Sequence, residues 1–111
     1  MLLNSKLPLD ILMQIEKYAN SVPDEETCGI VVKINKEYVF KPCKNISSNR
    51  KKAFLMNPYV LLENGIEYIY HSHVNSSCGP SRFDIVNAKN IKIPFLIYSL
   101  RDKEFSVYKC V

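Results

Sequence analysis

The chain has 111 residues, 47% of them hydrophobic and 23% charged, and 15 Lys and Arg against 11 Asp and Glu give a formal net charge of +4. This is the composition of one small soluble domain, residues 1–111, whose length suffices to bury about two-thirds of the unfolded surface around a single core. It excludes a membrane span, because no apolar stretch approaches ~18 residues, and the scattered lysines form no nucleic-acid-binding module.

The N-terminus, Met1 to Lys6, lacks the charged start and the apolar run of roughly 7 to 15 residues that mark a signal peptide. A cytoplasmic location is therefore expected, the host cytoplasm if the source is viral. Cys28, Cys43, Cys78 and Cys110 contain no Cys-x-x-Cys pair, which argues against a zinc knuckle and a thioredoxin-type motif. In a reducing compartment they are expected as free thiols, with Cys28 and Cys110 in the core.

The first element runs from Pro8 to Ala19, where Ile11, Leu12, Ile15, Tyr18 and Ala19 share one helical face. Ser21-Val22-Pro23-Asp24 ends it, and Glu25 to Ile34 leads into a strand. A turn at Asn35-Lys36 returns the chain through Glu37 to Pro42, with Tyr38 and Phe40 alternating. Cys43 to Lys52 is a polar connection in which Arg50-Lys51-Lys52 reads as a solvated basic cluster. Ala53 to Met56 is expected to be a short strand, and Pro58 to Glu63 a short helix closed by Asn64-Gly65. The β-branched and aromatic run Ile66 to Tyr70 predicts a buried strand. A second main helix is expected over Ser81 to Lys89, then a hairpin pairing Ile93–Ser99 with Glu104–Cys110, with Pro94 at the start of its strand. Helices between strands and hairpins at both ends predict an α/β sandwich of two or three layers around a mixed central sheet.

The chemistry concentrates behind the buried strand. In an extended segment residues two apart share a face about 7 Å apart, so His71 and His73 can reach one metal ion while Ser72 points the other way. Val74 to Pro80 is a loop, and Ser81-Arg82-Phe83-Asp84 opens the next helix, offering Asp84 as a third ligand. Two His and one carboxylate leave zinc an open position, the arrangement of a catalytic site, and a water held there ionises near neutral pH, with its pKa lowered to about 7. Ser81-x-x-Asp84 also has the form of a capping box; the two uses are compatible. Cys78, in the intervening loop, is an alternative thiolate ligand. Glu25-Glu26, at the mouth of the first strand, would on their own be two surface acids.

Taken together, Glu26-x-x-Gly29, His71-x-His73 and, seven residues on, Ser81-x-x-Asp84 resemble the signature of the JAMM metalloproteases, the MPN-positive domain family. The resemblance covers nearly the whole chain. It implies a cytidine-deaminase-like α/β sandwich, zinc held by His71, His73 and Asp84, Glu26 as general base and Ser81 as the donor on the oxyanion side. The implied reaction is hydrolysis of an amide or isopeptide bond in a protein or peptide. Val74 departs from the proline many members carry after the second histidine. The segment from Asn45 to Pro58 and the His-Ser-His, Ser-Ser and Pro-Ser run look most like the small members associated with bacteriophage tail assembly, which implies phage tail proteins as partners. Some relatives there carry an added NlpC-type peptidase domain, for which 111 residues leave no room, and the inserted ubiquitin-gripping loops of eukaryotic deubiquitinating relatives are likewise missing. The alternative is a non-catalytic tail-assembly or interaction protein retaining the metal-binding fold. A nucleobase deaminase would need His-x-Glu and a later Pro-Cys-x-x-Cys, which the sequence lacks.

Overall fold

A computed structural model describes residues 6–109. Helix α1, Leu9–Ser21, buries Ile11, Leu12, Ile15 and Ala19 along one stripe, and each of the three large side chains contributes about 2 kcal/mol of burial. It runs past Ala19 until Val22 N–H bonds Ala19 O at 3.2 Å, where Pro23 forbids the residue before it a helical backbone. Strands β1, Cys28–Ile34, and β2, Glu37–Cys43, are joined by Asn35 and Lys36, both left-handed at φ 51° and 69°, as a two-residue type I′ turn demands. Strand β3, Ile66–His73, is followed by helix α2, Arg82–Ile91, then β4, Phe95–Ser99, and β5, Glu104–Tyr108.

The five strands form one mixed sheet in the order β2-β1-β3-β4-β5, antiparallel except for the β3–β4 pair that α2 connects. The pleat sorts alternate residues to two faces. Val31, Tyr70, Leu96, Tyr98 and Phe105 pack with α1, whereas Ile30, Val32, Ile69, Phe95 and Ile97 pack with Ala88 of α2 and, at their margin, Phe54, Met56 and Val60. The result is the expected α/β sandwich in its three-layer form. Cys28 is fully buried, as expected, whereas Cys110 lies outside the described residues. No helix among the described residues is long and apolar enough to cross a membrane.

One expected strand does not form. Ala53 to Met56 is irregular: Asn45 Nδ2 donates to Ala53 O at 3.0 Å, Leu55 N–H donates to Asn45 Oδ1 at 3.1 Å, and Leu55 O accepts Ile46 N–H at 2.8 Å. The Asn45 side chain thus stands in for part of a strand ladder. Pro58–Leu62 is a 3-10 turn rather than an α-helix.

Candidate metal centre

The extended backbone of β3 places His71 and His73 on the α2 side of the sheet, one pleat apart, with ring centroids separated by 5.1 Å. The β3–α2 connection brings Asp84 to both. Its Oδ1 stands 3.0 Å from His71 Nε2 and its Oδ2 3.0 Å from His73 Nε2, and all three side chains are buried. One ligand atom from each lies within 4.8 Å of the others.

Local chemistry explains why Asp84 sits there. Ser81 is the N-cap of α2, its Oγ accepting Asp84 N–H at 3.1 Å while Asp84 Oδ2 accepts Ser81 N–H at 2.9 Å. Both readings of Ser81-x-x-Asp84 therefore hold at once, since the carboxylate that closes the capping box also faces the histidines. Burial alone would raise the Asp84 carboxyl, but the two imidazoles and the Ser81 amide outweigh it and hold Asp84 well below the usual carboxylate range.

The two histidines are held differently. His73 Nδ1 lies 2.7 Å from Ser77 O, a contact only a protonated nitrogen makes, which leaves the Nε2 lone pair toward Asp84 when the ring is neutral. Burial pulls the His73 pKa down, but Asp84 and Ser77 O outweigh it and the net shift is upward. His71 is completely enclosed, stacked on Phe54 at 4.3 Å between centroids and edge-on to Phe95. That enclosure lowers its pKa, against the pull of Asp84. Neither His71 ring nitrogen has a hydrogen-bond partner of acceptable geometry among the described residues.

An orphaned polar group in a core costs about 1–3 kcal/mol. Two imidazoles and a carboxylate held ionised are donor types suited to a divalent metal such as zinc, so the residues present fit a metal site. Cys78 does not join them; it packs against the α2-side core.

Glu26 enters from β1. The register pairs Cys28 with His71, and the pairing continues past the strand, with Thr27 N–H bonding Ser72 Oγ at 2.8 Å and Ser72 N–H bonding Thr27 O at 2.9 Å. Glu26 is thus set opposite His73. On the α1 side Thr27 Oγ1 meets Tyr70 OH at 2.6 Å and Ser72 Oγ at 3.1 Å, clamping the two strand ends together. Glu26 N–H donates to Arg50 O at 2.7 Å and Glu26 O accepts from Asn45 Nδ2 at 2.8 Å. Gly29 follows for a steric reason, because a Cβ there would sit 2.6 Å from Lys41 O of the neighbouring strand.

The Glu26 carboxyl opens on a cleft of about 540 Å³ whose walls include His73, Ser81, Phe83, Asp84 and Asn87. It is 7% exposed and accepts no hydrogen bond among the described residues. Burial raises its pKa from 4.5 to about 7, with His73 pulling down and Asp84 pushing up. The five residues singled out from the sequence are therefore brought to one place. Sequence reasoning missed Asn45, Thr27, Ser72 and the Phe54 stack. A polar residue in a polar connection carries no signal for the first, and a serine between two histidines draws attention away from itself.

No curated protein matches the chain. Among solved structures, the solution structure of protein DSY2949 from Desulfitobacterium hafniense is similar with a TM-score of 0.63 at 19% identity, over 95% of this chain and 79% of that one. A solution structure of a protein from Salinibacter ruber is similar with a TM-score of 0.64, also at 19% identity, over 96% and 82%. At that identity the likeness is one of fold. The family model described as prokaryotic homologs of the JAB domain matches residues 8–110, and the chain belongs to that family.

Proposed function

We propose that the protein is a zinc-dependent peptidase or isopeptidase acting on a protein or peptide substrate, with His71, His73 and Asp84 as the metal ligands. The observation that carries the reading is the place of Glu26: a buried carboxyl beside the ligand triad but outside it, lining a cleft. A metal that only stapled the fold would need no such group, whereas hydrolysis needs a proton acceptor within reach of the attacking water. Zinc held by His71, His73 and Asp84 would supply an activated water and polarise the scissile carbonyl.

Glu26 accepts the proton of the attacking water and delivers it to the leaving amine nitrogen, a role worth roughly 10² to 10⁴ in rate. Ser81 contributes on the oxyanion side. Its Oγ accepts Asp84 N–H through a lone pair, so its own O–H proton remains available to donate into the cleft. The likeness to small tail-assembly members makes phage tail proteins the first substrates to try.

The test is Glu26→Gln in the zinc-loaded protein. Zinc content and fold should be unchanged while hydrolysis of a cleaved substrate falls by roughly two or more orders of magnitude. Full activity, or full complementation of a deletion by this variant, would sink the hydrolase reading and leave a metal-holding interaction protein.

A further inference from the structure

The basic run Arg50-Lys51-Lys52 is not a uniform solvated cluster. The turn that carries it is braced: Lys52 and Ala53 N–H both bond Asn49 O, at 3.2 and 2.9 Å, Ala53 O accepts from Asn45, and Arg50 O accepts Glu26 N–H. The turn divides the three cations. Arg50 pairs with Glu25 at 3.2 Å and lines a different depression, whereas Lys51 and Lys52 stand on the wall of the Glu26 cleft with no ion-pair partner among the described residues. Because Arg50 O accepts Glu26 N–H, the backbone of the turn that carries the two lysines is tied to the Glu26 side of the cleft. Phe83, 76% exposed, lines the same cleft from the first turn of α2, next to Asp84. Two unpaired cations held beside a reactive centre attract anions to that centre more than lysines on a mobile loop would, because the brace removes part of the ordering cost of binding.

We propose that Lys51 and Lys52 form a subsite for a carboxylate on the peptide substrate, either an acidic side chain or a free C-terminus near the scissile amide. The proposal rests on the hydrolase reading for the word substrate, but binding alone can test it. The probes are fluorescein-labelled octapeptides of one sequence in four forms, with Glu or Gln at a fixed position and with a free or amidated C-terminus. They are measured against the zinc-loaded Glu26→Gln protein, which binds without turnover, alone and combined with Lys51→Glu/Lys52→Glu.

Carboxylate-bearing probes should bind roughly three- to tenfold more tightly than their neutral counterparts, with the preference fading as salt rises and inverting in the charge-reversed variant. Whether Glu or the free terminus carries the preference distinguishes the two sources. Equal binding of all four forms, or a preference that survives charge reversal, overturns the subsite. Failure of every peptide to be cleaved by the unmodified zinc protein, with the lysine-dependent preference intact, would instead overturn the hydrolase reading and leave the anion subsite standing. The lysines are exposed, and circular dichroism with zinc content checks that the reversed variant is folded.

Discussion

The Glu26 carboxyl is the most exposed to test of all the features of the site, because its burial makes a prediction about stability that needs no substrate. In the metal-free protein its pKa is raised from 4.5 to about 7, so the folded state holds its proton more tightly than the unfolded state does. The contribution is fully present below pH 4.5 and is lost as pH rises through 7. With each pH unit of that interval worth roughly 1.4 kcal/mol, the ceiling is about 3 kcal/mol, and solvent at the cleft mouth lowers it. Glu26→Gln keeps the shape of the protonated acid and removes the titration. At pH 4, below the unfolded pKa, the variant and the parent should have nearly equal stability. At pH 8.5 the metal-free variant should be the more stable by about 1 to 3 kcal/mol, a rise in Tm of roughly 5 to 15 °C for a domain of this size. Thermal melts of both proteins after chelation, at the two pH values, read this directly. Zinc should shrink the gap at pH 8.5, because a cation beside the carboxylate favours its charged form. A Tm difference identical at both pH values, or a variant less stable at pH 8.5, would show that burial does not penalise the Glu26 charge.

Asp84→Ala should abolish stoichiometric zinc binding in elemental analysis and, even without metal, cost about 1 kcal/mol, because it breaks the α2 capping box as well; Cys78→Ala should leave zinc content unchanged. Asn45→Ala removes four hydrogen bonds, to Glu26 O, Ala53 O, Ser47 N and Leu55 N, and should lower stability by about 2 to 4 kcal/mol in urea unfolding. Lys36→Gly relieves a left-handed lysine at φ 69° and should raise stability by about 1 kcal/mol with zinc binding untouched.

Much of this was legible from pattern. The alternation Ile69-Tyr70-His71-Ser72-His73 fixed which face each side chain takes, and the spacing from Ser81 to Asp84 fixed one helical turn, so a triad followed from two local periodicities. The Asn35-Lys36 turn was legible because a two-residue link between alternating runs allows few backbones. What was hidden depends on contacts distant in sequence. Phe54 lies 17 residues from the imidazole it stacks on, and its segment had strand-like composition although an asparagine side chain supplies two of its backbone partners. The basic run showed three like charges, and only the turn revealed that one is neutralised by Glu25 while two face the cleft.

The capping box has a consequence for descent. Asp84 starts a helix and faces the histidines with the same carboxylate, so a lineage that gave up metal chemistry would still lose stability on replacing it, whereas Glu26, whose ionised form burdens the fold, would be free to drift and even favoured to go. On the proposed hydrolase reading, the acid at the mouth of β1 is therefore a sharper marker of catalysis than the Ser-x-x-Asp pair, and relatives that keep the pair but not the acid are the places to look for domains that serve as scaffolds.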